Sequence, residues 1–314
     1  MFGATGTIGQ AVAQVLVERQ YDVTCFLRPE ADEGILPEGV EVRRGHVTNM
    51  TSLMDDGYRD EVFDYVVSCM ASRTGVAHDA WAVDYAAHMN VLSAAKSAGA
   101  AHFVFLSAMC VQKPVLAFQK AKLAFEEALI GSGLTYSIIR PTAFFKSLSG
   151  QIERVMAGKS FLLFGDGEGT ACKPISDRDL AVFMADSLRQ PDRRNRILPI
   201  GGPGPAMTPR EQGARLFELL GKDPKFSEVP LAFMTAMIWG LNAAGTVVPA
   251  LRTKAELARI GRYYATESML VLDPETGEYA PGLTPSTGTE MLFDYYRQLI
   301  GEGGRLERGA HKVF

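Results

Sequence analysis

Residues 3–9 read Gly3-Ala4-Thr5-Gly6-Thr7-Ile8-Gly9, a G-x-x-G-x-x-G loop at the mouth of a helical pattern over 11–19. Glycines let the backbone approach a pyrophosphate closely, and a helix N-terminus adds free N–H groups and a partial positive charge. A glycine triplet alone is a weak signal, and a plain Gly-rich turn is the alternative. Here the loop opens a helix that leads into the apolar run YDVTCFL (21–27), which is the context a dinucleotide fingerprint demands. Gly3, Thr5, Gly6, Thr7, Ile8 and Gly9 are therefore expected to bind the cofactor. Only Met1 and Phe2 precede the loop. Two residues span at most roughly 7 Å, whereas a typical strand runs ~17 Å. The first strand is expected to be truncated, with further apolar residues upstream, and no signal peptide fits ahead of the loop.

Outward from the loop, apolar runs alternate with helical patterns. Strands are expected over 21–27, 40–47, 63–70, 102–108 and 136–141, and helices over 11–19, 80–98 and 116–130. The runs FDYVVSCM (63–70) and HFVFLSA (102–108) lack polar alternation, as strands buried on both faces do. The fold class is α/β: a Rossmann-type doubly wound parallel sheet. Past Thr142 the rhythm changes to Gly-rich loops around Gly165, Gly167 and Gly169, then Gly201, Gly202 and Gly204. Thr208-Pro209-Arg210-Glu211 has the Ser/Thr-x-x-Glu spacing of a capping box, with Pro at the first helical position. The expected division is a dinucleotide domain at 1–145, a smaller C-terminal α+β substrate region at 146–300 and a frayed tail at 301–314.

Composition excludes several classes. The 314 residues are 47% hydrophobic and 22% charged, with 32 basic against 36 acidic side chains and a net charge of −4. That is an ordinary globular balance, without the concentrated basic face of a nucleic-acid binder. Cys25, Cys69, Cys110 and Cys172 lie far apart, so zinc-ribbon and iron–sulfur readings have no support. The expected compartment is reducing and cytoplasmic. The uncharged stretch 231–251 has the length of a membrane span, but Gly240, Gly245, Pro249 and Asn242 interrupt it. A greasy or buried segment of the substrate region is the preferred reading over a span, with surface attachment to a membrane left open.

An NAD-specific site places an acid after the second strand to hold the ribose 2′-hydroxyl. This chain has Arg28 there, suited to a 2′-phosphate, so NADPH is the expected cofactor. A solvated surface arginine is the alternative, and Glu30 lies close. Strand ends should line the crevice, which adds Ser68, Ser107, Pro141 and Thr142. Short-chain dehydrogenases carry Tyr-x-x-x-Lys on a helix, with Tyr as proton donor and Lys on the ribose. The corresponding helix reads Phe118-Gln-Lys-Ala-Lys122. The lysine survives and the phenol does not. Phe cannot move a proton, so carbonyl chemistry is disfavoured and reduction of a conjugated C=C bond is preferred. Lys122 is the expected catalytic residue, and Lys120 should face elsewhere.

Seven stretches carry a more specific likeness: VVSCMASRTG (66–75), FVFLSAMCVQKP (103–114), FQKAKLAFEEAL (118–129), IIRPTAFFKSLSGQ (138–151), FGDGEGTACKPIS (164–176), LPIGGPG (198–204) and IGRYYATESMLVLDPETGEY (260–279). The chain resembles the NADPH-dependent divinyl chlorophyllide 8-vinyl-reductases, an atypical short-chain dehydrogenase family, over nearly its whole length. The resemblance implies reduction of the 8-vinyl group of a divinyl (proto)chlorophyllide to ethyl in (bacterio)chlorophyll synthesis, with a tetrapyrrole substrate and no iron–sulfur cluster. A chlorin is a flat apolar disc with a carboxylate edge. Phe144, Phe145 and Lys146 would supply an aromatic wall and a cation, and Lys173 a partner for the propionate, with exposed surface lysines the alternative. The 231–251 segment would cover the macrocycle or touch a photosynthetic membrane peripherally. Of the histidines, His78 is best placed for the pigment Mg²⁺, although a lone His is usually structural, and no metal site is expected. Asp79 and Asp84 read as helix-start charges. Cys110, Cys172 and solvent remain open as proton donors. The rival reading is a non-catalytic NADP(H)-sensing or assembly protein on the same fold.

Overall fold

The computed structural model describes residues 1–248 and 250–303. Its longer elements are α1 (Thr7–Glu18), β1 (Val23–Leu27), β2 (Val40–Arg44), β3 (Tyr65–Ser68), α2 (His88–Ser97), β4 (His102–Leu106), α3 (Ala117–Ile130), β5 (Thr135–Pro141), β6 (Phe161–Phe164), α4 (Asp177–Arg189), β7 (Arg196–Ile200), α5 (Pro209–Leu219), β8 (Phe226–Val229), α6 (Leu231–Ala244), α7 (Ala250–Thr266) and α8 (Leu292–Gly301). They form two compact units. The first is Met1–Pro141 with Asp177–Ile200, and the second is Thr142–Ser176 with the chain from Gly201 onward. The stretch 177–200, expected in the substrate region, thus returns to the first unit. The physical reason is that β7 pairs in parallel with β5, from Ser137 beside Arg196 to Pro141 beside Ile200. The tail expectation falls largely on residues 304–314, outside the described residues.

The first unit is a parallel sheet. β1 pairs with β2, and β3, β4, β5 and β7 follow one another. Phe2 joins the two halves, bridging Phe26 on one side and Ser68 on the other, both in parallel. Its N–H donates to Val67 O at 2.9 Å, and its carbonyl accepts from Cys69 N at 2.9 Å. The chain leaves Phe2 for β1 on one side and leaves β3 for β4 on the other. Right-handed crossovers in opposite directions put their helices on opposite faces, so the sheet is doubly wound and Phe2 marks its switch point. Ligands bind such sheets beyond the strand C-termini at that point, and the glycine loop starts there.

β4 shows why this sheet is internal. All five of its residues, HFVFL, are buried. Phe103 and Phe105 pack against Phe125 of α3, with ring centroids 5.9 and 4.8 Å apart. His88 of α2 joins them, 5.0 Å from Phe105 and 4.8 Å from Phe125. On α1, Val12, Ala13 and Leu16 form the buried stripe. Its end is held to α4 by Arg19 on Asp186, at 2.6 Å, and by Arg178 on Glu18, at 2.5 Å.

The second unit has a two-stranded parallel sheet, β6 with β8. Its core contains Phe145, Phe161, Phe217 and Tyr296. The capping box forms as expected: Thr208 accepts from Glu211 N at 3.2 Å, and the Glu211 carboxylate accepts from Thr208 N at 2.8 Å. Gly202 lies so close to the ACKP stretch that an added Cβ would sit 1.8 Å from Pro174 O. The 231–251 segment is no span. It breaks into α6, a connection and the start of α7, and only Met234 and Ile238 of α6 are buried. Of the two forms expected, a greasy or a buried segment, α6 is the greasy one.

Two histidines of the first unit are locked in neutral form. His88 Nδ1 lies 2.8 Å from Val83 O, so it carries the hydrogen, and Nε2 accepts from Ser68 Oγ at 2.9 Å. Burial, reinforced by the Lys122 charge, pushes the His88 pKa down to about 4. Burial does the same to His102, also to about 4. The unfolded chain takes these protons near pH 6.5. The stabilisation is therefore intact above that pH and is lost as the pH falls towards 4, by up to ~3 kcal/mol for His88. Urea unfolding followed from pH 7 to pH 4 should show this decline. A His88→Gln/His102→Gln variant should flatten it, and an equally steep fall in that variant would assign the decline to other groups.

Candidate dinucleotide site and its buried lysine

The glycines of the loop have different jobs. Gly3 has φ +76°, and a Cβ there would sit 2.5 Å from Met70 N. A Cβ on Gly9 would sit 2.0 Å from Gly3 O. Both are required by the protein's own packing of α1 and the β3 end against the loop. Gly6 is different. A Cβ there would meet only Gly3 O, at an ordinary 3.5 Å. Gly6 is the N-cap of α1 in an extended conformation, with no side-chain cap, and the first turn carries no acid. The first-turn N–H groups at the switch point therefore suit an anion. Packing does not explain the missing side chain of Gly6, whereas a pyrophosphate lying against the backbone does. The loop residues fit a dinucleotide on this test. Thr5 and Thr7 are half-buried, and Ile8 is buried in the first turn of α1. Gln10 Nε2 steadies the loop by donating to Thr5 O at 2.9 Å.

Arg28 follows β1 with an exposed side chain, 3.7 Å from Glu30. A second cation lies beside it that sequence reasoning missed. Arg44, paired with Leu27 across β1 and β2, donates to Pro29 O at 2.8 Å and Ala31 O at 3.0 Å and binds Glu33 at 2.7 Å. Arg44 shapes the loop that carries Arg28. Its signal was the Arg-Arg pair ending the second strand.

Lys122 is 6% exposed on α3. Its Nζ lies 3.2 Å from Asp84 Oδ1 and 5.3 Å from the Phe105 ring centroid. Asp84 is fully buried and its Oδ1 also accepts from Ser72 N, at 3.3 Å, in the loop after β3. Its Oδ2 has no hydrogen-bond partner among the described residues. The helix-start reading of Asp84 is thus corrected. It sits in the wide helical turns Trp81–Ala87, and the carboxylate faces inward because those turns pack on α3. Asp79 does act locally, accepting from Thr74 N and Oγ1, each at 2.8 Å. Lys120 is exposed and turned away from the pair, as expected, and Phe118 is half-buried one turn before Lys122.

Several expected contacts have other partners. The Ser68 hydroxyl belongs to His88. The Ser107 hydroxyl donates to Glu126, which also binds Arg140. Strands buried on both faces turn these side chains into the helical layers, so what the two strand ends can offer a cofactor is backbone. Pro141 is buried at the end of β5. In the second unit Thr142 is buried and donates to Lys173 O. Lys173 is a packing hub: its carbonyl also accepts from Gly202 N at 3.1 Å, and its Nζ donates to Thr284 O at 3.0 Å. Lys173 was expected to meet the propionate, with an exposed surface lysine as the alternative; its Nζ is anchored on a backbone carbonyl of its own unit. Phe145 is 4% exposed, with its ring 5.7 Å from that of Tyr295, so core packing claims the side chain expected to face the pigment. Phe144 and Lys146 are half-buried beside it. Cys110 is buried, and burial pushes the Cys172 thiol up to about 12. That makes Cys172 a poor acid at neutral pH.

Substitutions separate these roles. Gly6→Ala should cost less than about 1 kcal/mol of stability while weakening NADPH binding on the order of tenfold, read by fluorescence titration. Gly9→Ala should instead fail in thermal melts. Asp84→Asn leaves a buried ammonium without its carboxylate and should cost about 3–5 kcal/mol, whereas Asp84→Leu/Lys122→Met should recover most of it. Equal losses in the single and double variants would deny the coupling.

A family model described as NAD(P)H-binding matches residues 3–191. The divinyl chlorophyllide a 8-vinyl-reductase of Oryza sativa subsp. indica is 48% identical over 99% of this chain and 81% of its own length. A photosystem II assembly factor, Ycf39 of Cyanophora paradoxa, is 26% identical over 78% of this chain and 77% of its own. Among solved structures, the Escherichia coli quinone oxidoreductase QOR2 complexed with NADPH covers 95% of this chain and 98% of its own, at a TM-score of 0.68 and 18% identity, a likeness of fold. A phosphate-ready glycine loop at a switch point, a buried lysine without its tyrosine, and 48% identity along nearly the whole chain lead to one assignment: this protein belongs to the divinyl chlorophyllide a 8-vinyl-reductase family.

Proposed function

We propose that the chain is an NADPH-dependent oxidoreductase that converts the 8-vinyl group of a 3,8-divinyl (proto)chlorophyllide to ethyl, in (bacterio)chlorophyll synthesis. The observation that carries the reading is the Phe118 to Lys122 step on α3. A buried, carboxylate-held cation is kept where the phenol of a carbonyl reductase is absent. NADPH, when bound, supplies the hydride; the chain's part is placement and the exclusion of water.

In this reading Gly3, Gly6 and Gly9, with Thr5, Thr7 and Ile8, seat the pyrophosphate. Arg28 meets the 2′-phosphate from a loop held by Arg44. The ends of β3, β4 and β5 at Ser68, Ser107, Pro141 and Thr142 present backbone to the nicotinamide half. Lys122, fixed by Asp84, orients the ribose. The orphaned Asp84 Oδ2 is a ready acceptor for a hydroxyl at the same place. Phe144 and Lys146 face the pigment with an aromatic surface and a cation. Protons come from solvent, since burial pushes the Cys172 thiol up to about 12 and makes it a poor donor. Peripheral contact with a pigment-bearing membrane completes the reading; among the described residues no helix is long and apolar enough to cross one.

The deciding experiment incubates the purified protein with NADPH and divinyl chlorophyllide. One vinyl group leaving conjugation should give a small blue shift of the absorption bands. A sample that binds NADPH and gives no shift would favour the non-catalytic assembly role. Arg28→Ala should narrow the preference for NADPH over NADH by on the order of tenfold, the scale of one charge-assisted phosphate contact; an unchanged ratio would remove Arg28 from the site.

A further inference from the structure

From residue 231 to residue 251 the chain carries no charge. Helix α6 is apolar on every side, which ordinarily means burial in a core or contact with lipid. Core burial is not what the structure has. Trp239 is 75% exposed, Phe233 62% and Val247 83%, with Met237 and Val248 exposed beside them. Helix α7 returns along α6. Arg252 Nε donates to Gly245 O at 2.9 Å, Arg259 Nη2 to Asn242 Oδ1 at 2.9 Å, and Arg262 Nε to Thr235 Oγ1 at 3.1 Å. The partner numbers fall as the arginine numbers rise, so the helices are antiparallel. These three acceptors are neutral oxygens, which do not neutralise a guanidinium charge. Over 231–266 the charges are Arg252, Lys254, Arg259 and Arg262 against Glu256, which is +4 − 1 = +3, on a chain of net −4.

We propose that the α6–α7 hairpin docks this protein onto the surface of a bilayer that carries anionic lipid. The outer face of α6 and the Val247-Val248 tip enter the interface, and the α7 cations meet headgroup phosphates. An exposed apolar face flanked by basic side chains is the composition that interfacial helices use, and Trp239 has the amphipathic ring favoured at that depth. The hairpin lies on the membrane rather than through it: the 14 residues of α6 reach only ~21 Å, against a hydrocarbon core of ~30 Å. A second copy of the chain fits the face less well, because two patches of net +3 repel. The inference deepens the peripheral-contact part of the proposed function and does not depend on the reaction.

The test uses the full chain and vesicles of pure phosphatidylcholine or of phosphatidylcholine with phosphatidylglycerol. Flotation should carry the protein with the anionic vesicles, less with neutral ones, and less again in high salt. A Phe233→Ser/Trp239→Ser variant should lose on the order of tenfold or more in partitioning, while its NADPH binding and circular dichroism show that it is folded. A Trp81→Phe background leaves Trp239 as the sole tryptophan, and its emission should move to the blue on vesicle addition. No flotation with anionic vesicles would overturn the proposal. So would flotation that the double variant leaves unchanged, or a concentration-dependent dimer that the double variant abolishes. None of these outcomes touches the vinyl-reduction assay, so the two readings fail separately.

Discussion

Three backbone segments of the first unit cross at less than the thickness of a side chain. Gly9 of α1 lies against the Gly3 carbonyl, and Gly3 lies against the amide of Met70 after β3, with 2.0 and 2.5 Å left for a Cβ. This crossing brings the first turn of α1 to the switch point of the sheet. Phe2 holds the other end, bonded to both β1 and β3. The helix N-terminus, the β3 loop and the Arg28 loop all take their positions from that junction. A dinucleotide site on this chain is a consequence of close backbone packing first and of side-chain chemistry second.

The buried Lys122–Asp84 pair is the second constraint. An ammonium out of water needs a partner, and the inward carboxylate provides one at 3.2 Å. The same carboxylate reaches the β3 loop through Ser72 N. One interaction therefore ties the helix bearing the lysine to the strand end beside the glycine loop. His88 and Ser68 pack directly beneath. With Phe118 in place of a phenol, what remains is a rigid cation suited to holding a ribose, which agrees with chemistry in which a conjugated alkene accepts hydride.

Much of the fold was legible in the sequence. Unalternated apolar runs such as HFVFL mark strands buried on both faces, and the glycine loop before α1 sets their topology. The capping box at Thr208 was legible because its two hydrogen bonds depend on residues three apart. The return of 177–200 to the first unit was not legible, since it depends on β7 finding β5 from 59 residues away along the chain, Ser137 to Arg196. Site residues divided in the same manner. The close approach of Gly9 to Gly3 lies within the motif and was legible from its spacing, whereas the packing of Gly3 on Met70 is a tertiary contact. Asp84 was misread because its burial comes from α3, and the packing of Phe145 on Tyr295 and of Lys173 on Thr284 was not legible because those partners are more than a hundred residues distant.

By itself, then, the sequence determined the alternation of strands and helices, the phosphate loop, the missing phenol and the family, because each resides in spacing or residue identity. Tertiary structure alone decided which carboxylate holds Lys122, that Arg44 shapes the Arg28 loop, that Ser68 and Ser107 turn away from the crevice, and that α6 is left uncovered. Those outcomes depend on which distant surfaces exclude water together, and no local pattern carries that information.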